Sequence, residues 1–187
     1  SKLTISGDDH EFDNSYHVAR ITPTEQTILF VGPTFDQPRE DLHYYLARVP
    51  IDDTTRTAKW EQFSEGLDQS TSTPIDPRKV PLIVVAHPIR ASDVEQLNTY
   101  MTKGGRVLFV LTQQSQDGNS DGILQSLRDL SGDESASLTE AETEDYSMLT
   151  QIDFEDALFQ PLADPKYNDF TKIRFWSHRR LESIDDQ

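Results

Sequence analysis

A chain of 187 residues suits one ordinary domain, or one domain with a short appendage, and a hydrophobic share of 35% suffices for one core. The formal charge of −16 opposes nucleic acid and anionic membrane surfaces, both of which attract cationic stripes. With no cysteine, disulfides, thiolate metal sites and cysteine nucleophiles are all excluded. No apolar run approaches the ~18 residues of a membrane-spanning helix. The start, SKLTISGDD, lacks the basic and apolar regions of a signal peptide and an initiator Met, so an excised fragment is expected.

Leu3 to Ile5 reads as a short strand. Asp9, Glu11 and Asp13 alternate like the first ligands of a calcium loop, but Asn14 stands where Gly is needed and Arg20 where Glu is needed. A polar turn before a strand at Tyr16 to Ile21 is the reading. Residues 1–22 are therefore expected to be the tail of a preceding β module, Pro23 to Gln26 a linker, and residues 23–187 an α/β domain.

Thr27 to Val31 is the first strand of that domain, followed by the turn GPTFDQP. Leu42, Tyr45, Leu46 and Val49 predict the apolar stripe of a helix closed by Pro50. Trp60 among polar neighbours predicts a strand at Ala58 to Phe63, and a polar loop follows over residues 64–79. Leu82 to Ala86 is an apolar, β-branched run, as in a strand buried on both faces. Pro88 ends it. Ser92 to Glu95 has the spacing of a capping box. Val94, Leu97 and Met101 recur at helical spacing, with Tyr100 beside them, until Gly104-Gly105 stops the helix. Val107 to Leu111 is a second all-apolar strand. Strand, helix and strand in so few residues predict a right-handed βαβ unit with parallel strands.

After Thr112 a loop leads to an amphipathic helix on Ile123, Leu124, Leu127 and Leu130, ended by Gly132. Strands are expected at Met148 to Ile152 and Phe170 to Trp176, with a short helix or turn at Ala157 to Leu162. From Asp129 to Asp164 there is no Lys or Arg, whereas Lys166 to Arg180 is locally basic, so the two stretches can pair within the fold. The whole predicts an open, mostly parallel, flavodoxin-like sheet with helices on both faces.

Ligands in such sheets bind beyond the carboxyl ends of the strands. Here those ends are Gly32 to Asp36, His87 to Arg90, and Thr112 to Gln114. Thr34, Asp36, His87, Arg90 and Gln113 are thereby the candidate binding residues. His87 and Thr112 are the candidates for catalysis, His87 as a base at a strand end, although no elbow nucleophile accompanies it. GPTFDQP carries neither a dinucleotide fingerprint nor a Walker loop, so no nucleotide cofactor is expected. The five His residues show no metal-ligand spacing, so no metal is expected.

The buried strand, capped helix, Gly-Gly stop and apolar strand together resemble the class I glutamine amidotransferase-like fold. In that family a stretch like LNTYMTKGGRVLFVLT, here Leu97 to Thr112, ends at the nucleophile elbow. The family's Cys position falls on Leu111 or Thr112, and Leu111-Thr112-Gln113-Gln114 contains no Gly. The resemblance thus implies the fold without glutaminase activity. The closer likeness is to the C-terminal region of bacterial aerotolerance-type membrane proteins with an N-terminal double-transmembrane segment and a von Willebrand factor A domain. Gly7 to Val18 (GDDHEFDNSYHV) resembles the end of the β-rich segment there, and Met148 to Glu182 resembles the closing strands. This likeness implies a catalytically inactive interaction module with a protein partner. It further implies attachment to a bacterial membrane through segments outside this sequence, with the module on the extracytoplasmic side. The alternative is a hydrolase or small-molecule sensor that uses the cleft at the strand carboxyl ends.

Overall fold

In the computed structural model, residues 2–5, 7, 15–19, 21–39, 41–49, 51–52, 54–64, 66–67, 74–111, 120–141, 145–156 and 159–182 are described. They divide into two compact units, residues 1–126 and 127–187.

The first unit opens with strands β1 (Lys2–Thr4) and β2 (Ser15–His17), which pair antiparallel with each other. All six residues are exposed. The calcium-like Asp9, Glu11 and Asp13 lie outside the described residues. Strand β3 (Thr24–Val31) begins within the expected linker, because Thr24 to Gln26 already pair with β4 (Arg56–Phe63). Strands β5 (Leu82–Val85) and β6 (Arg106–Phe109) complete a four-stranded, all-parallel sheet in the order β4-β3-β5-β6. The sheet and its helices make an α/β fold compatible with the flavodoxin-like arrangement.

The core follows from the apolar runs. Ile28 to Val31 and Ile83 to Ala86 are buried, as strands covered on both faces must be. On one face Ile28, Phe30, Val84 and Ala86 cluster, and Leu42 and Leu46 of the helix α1 (Leu42–Leu46) pack on them. Only part of the predicted stripe is used. Helix α1 has five residues, and Tyr45 and Val49 are about half exposed. Its start is fixed by Asp41, whose carboxylate accepts the His43 amide at 2.9 Å.

Helix α2 (Ala91–Thr102) joins β5 to β6 and buries Leu97 and Tyr100. Two crossovers set the layers. The chain steps from β3 to β4 in one direction and from β5 to β6 in the other, so right-handed connections put α1 and α2 on opposite faces. Gly104, at φ +89°, ends α2 as expected. A side chain at Gly105 would strike the Tyr100 ring, which explains the second glycine.

Two expectations for this unit need correction. β6 lies beside β5, but it ends the sheet among the described residues, and Leu108 is 48% exposed. The all-apolar run implied cover on both faces, yet no residue of β6 is fully buried. The helix cap also differs. The N-cap is Arg90, and its amide donates to Asp93 Oδ2 at 3.3 Å, so the capping pair stands two residues before Ser92 and Glu95. Arginine has no acceptor, so only this half of a capping box forms.

Helix α3 (Ser120–Ser131) runs from the first unit into the second. In the second unit, β7 (Ser137–Ala141) pairs antiparallel with β8 (His178–Glu182), a ribbon that sequence periodicity missed. Neither predicted late strand forms. Ser147 makes a single antiparallel bridge with Phe175, while Met148 and Leu149 are exposed. Phe170–Lys172 is a 3-10 turn, because the Asp169 carboxylate captures the Thr171 amide and hydroxyl at 3.3 and 2.6 Å. The turn expected near Ala157 to Leu162 is a 3-10 turn at Gln160–Leu162. The acidic and basic stretches do meet: Arg179 Nε lies 2.6 Å from Glu140 Oε1.

Candidate functional site

In the order β4-β3-β5-β6, the chain leaves β3 toward one edge and leaves β5 toward the other. The loops after these neighbouring strands therefore diverge and open a crevice at their carboxyl ends. Its walls are the turn from Gly32 and the turn from His87.

The first wall is drawn in tightly. Ala86 donates its amide to Val31 O at 2.8 Å, and Gly32 donates to Phe63 O at 2.9 Å, which continues the ladder past both strand ends. A Cβ on Gly32 would come within 2.7 Å of Phe30 Cε1 and 3.4 Å of Ala86 Cβ, so glycine is required by close approach. At the end of β4, Gln62 ties the turn down. Its Nε2 lies 3.4 Å from Gly32 O, 3.2 Å from Pro33 O and 3.2 Å from Thr34 Oγ1. Thr34, named from sequence, is thus an exposed hydroxyl held from below by an amide that sequence reasoning missed. Gln62 is adjacent to Phe63, which partners Val31 in the ladder, and only this register brings its side chain to the turn. Phe35 and Asp36 follow, both exposed.

The second wall is built on proline and a helix start. His87 is half-buried, and its Nδ1 lies 2.9 Å from Pro88 O. A carbonyl only accepts, so Nδ1 carries the proton in the neutral ring and Nε2 keeps its lone pair. Ile89 donates its amide to Ser126 Oγ at 3.0 Å, and Ser126 in turn donates to Gly122 O at 2.7 Å. Ser126 is buried, so α3 anchors this turn from within the first unit. Arg90 is exposed at the N-terminus of α2. Beneath it Asp93 is 1% exposed, and its Oδ1 has no hydrogen-bond partner among the described residues. Gly66, at φ +129°, passes over this carboxylate so closely that a Cβ there would lie 2.5 Å from Asp93 Oδ2. The β4–β5 connection is thereby laid against the start of α2.

Of the residues named from sequence, Thr34 and Asp36 stand in one wall and His87 and Arg90 in the other. Thr112 and Gln113 lie outside the described residues. Among the described residues, no three His, Asp or Glu side chains converge as metal ligands. Nor is any described helix long and apolar enough to cross a membrane. The crevice offers a hydroxyl, a guanidinium and an imidazole nitrogen as hydrogen-bonding groups. Among the described residues, no carboxylate or imidazole contacts the Thr34 hydroxyl to activate it. Set beside known proteins, the chain matches no family model, no curated protein and no solved structure.

Proposed function

We propose that this chain is a catalytically inactive, amidotransferase-like interaction module. One observation carries the reading. The crevice groups that can hold a partner are exposed, while the groups that catalysis would need are tied to the chain itself or missing. Thr34 is held by Gln62, and no described carboxylate or imidazole contacts its hydroxyl. The sulfur nucleophile of the resembled family does not exist in this sequence. The likeness to aerotolerance-type membrane proteins supports a place at a bacterial membrane on the extracytoplasmic side, through segments outside these residues.

The purified chain given glutamine is expected to release ammonia no faster than buffer. Release that His87→Ala or Thr112→Ala abolishes would replace this reading with an enzymatic one. A second reading is favoured by the His87 tautomer, since a free Nε2 lone pair is what a general base or a ligand acceptor presents. That reading is a small-molecule sensor or hydrolase with His87, Arg90 and Thr112 as contacts. A thermal-shift screen of metabolites separates the two. A ligand at 100 times its Kd stabilises by about 2.7 kcal/mol, and the shift should vanish in His87→Ala.

A further inference from the structure

The two walls of the crevice share one piece of chain. Strand β4 ends at Phe63, and Gly66 already lies against the first turn of α2. The hold on the first wall is by hydrogen bonds. Phe63 O accepts the Gly32 amide at 2.9 Å, and Gln62 Nε2 lies 3.4, 3.2 and 3.2 Å from Gly32 O, Pro33 O and Thr34 Oγ1. The hold on the second wall is by packing. Gly66 is buried against Asp93 where no Cβ would fit, and Leu67 beside it is 3% exposed. Asp93 Oδ2 in turn accepts the Arg90 amide at 3.3 Å. Gly66 therefore rests on the carboxylate that positions the end of the second wall.

The segment has little slack. β4 and β5 flank β3, and α2 connects β5 to β6. Two strand spacings amount to about 10 Å. Three residues of chain reach about 10–11 Å at full extension. A tie of that length transmits displacement, because neither end can shift far without drawing on the other. Neither end slips freely. Releasing the first breaks hydrogen bonds, and lifting the second brings Leu67 into water. The Ala86 bond to Val31 O also joins β3 to β5, but it stands below both turns.

We propose that the chain from Gln62 to Leu67 is a tie that couples the two walls of the crevice. The walls then move together, and whatever displaces the turn at Thr34 also displaces the turn from His87 to Arg90. Coupling of this kind runs through contiguous packed and hydrogen-bonded groups, which the two holds supply. The device belongs to the walls themselves, so it operates with a protein partner or a small molecule in the crevice alike.

The test is native-state hydrogen exchange on the full chain, resolved to single amides. Gln62→Met removes the donor at nearly constant volume, and Gly66→Ala forces the chain away from Asp93 Oδ2. Exchange is read at Gly32 in the first wall and at Ile89 and Arg90 in the second. The Thr27 and Gly105 amides, bonded to Lys79 O and Tyr100 O toward the opposite end of the sheet, are the references. Gln62→Met should speed exchange at Ile89 and Arg90 about tenfold, as coupling within one network allows. Gly66→Ala should speed Gly32 by a similar factor, and the references should not change. In the double variant the far-wall effects should fall short of the product of the single ones, since a tie cut at one end no longer pulls at the other. Circular dichroism melts check folding, and Asp93→Asn replaces Gly66→Ala if the latter shows no cooperative transition. An effect confined to the wall beside each substitution overturns the proposal. A uniform rise that includes the references is global loosening and overturns it too. So does a double variant whose effects simply multiply.

Discussion

Gly32 governs how closely β3 and β5 approach at the crevice. The Phe30 ring it abuts is fixed among Ile28, Val84 and Ala86 and has no room to retreat. Gly32→Ala is expected to cost about 1–3 kcal/mol, as overpacking does. The readout is a lower urea midpoint at unchanged slope. Tyr100 has a role at the other end of the sheet. Its hydroxyl donates to Val80 O at 2.8 Å and accepts the Arg106 amide at 3.2 Å. Burial raises its pKa above the usual phenol value, with Arg106 opposing. The neutral phenol is therefore favoured by folding. Its contribution is complete below the unfolded value of about 10 and is lost as pH rises through the folded value. Above about pH 10, stability should fall more steeply with pH in the native chain than in Tyr100→Phe. Equal slopes would remove Tyr100 from the account. Neither role was legible in sequence. Gly32 was read only as part of a turn, because the ring beside it comes from its own strand's inward face. Tyr100 was read as a neighbour of the helical stripe, because its two partners flank the helix in the chain.

At the scale of elements, α2 depends on its first turn. Asp93 caps the Arg90 amide and lies under Gly66. Asp93→Ala should cost about 1–2 kcal/mol, as loss of a cap does. In hydrogen exchange, the amides of Arg90, Asp93 and Val94 should lose protection before those of Leu97 to Met101. Uniform loss along the helix would mean the cap is not the anchor. Ser92 and Glu95 had the right spacing for a capping box, and the sequence reading followed it. The chain instead places the earlier pair there, since Gly66 seals Asp93 from solvent, a contact between distant residues. The parallel strands were readable because burial on both faces demands unbroken apolar runs, as in Ile28 to Val31 and Ile83 to Val85. The ribbon was not readable. SLTEA and HRRLE have no buried face to impose a period, and their pairing rests on backbone bonds and on Glu140 with Arg179.

For the molecule as a whole, the described residues among the first 22 contribute little burial. β1 and β2 pair only with each other among the described residues, and Leu3, Ile5 and Tyr16 are 59%, 70% and 70% exposed. A chain starting at Pro23 should keep a cooperative urea transition, since a two-stranded piece is marginal alone. Loss of that transition would make the pair an integral part of the fold. The candidate site was legible in outline. Ends of apolar strands named both walls of the crevice, Thr34 with Asp36 and His87 with Arg90. The supports behind them, Gln62 and Ser126, were hidden because each acts across a strand or helix that only the assembled fold brings near.

The reversal of strand order also sets a schedule for folding. Leu82 pairs with Arg106 over a short stretch of chain, whereas Ile28 pairs with Leu82 across more than twice that separation. Closing the longer loop costs more chain entropy before any contact rewards it. β5, α2 and β6 can therefore associate early, with the seam between β3 and β5 closing late. Pulse-labelling during refolding should protect the Val110 amide, which donates to Val85 O, ahead of Ala86, whose bond to Val31 O crosses that seam. The crevice is then the last feature of the parallel sheet to take shape, so nothing that recognises it can bind a partly folded chain.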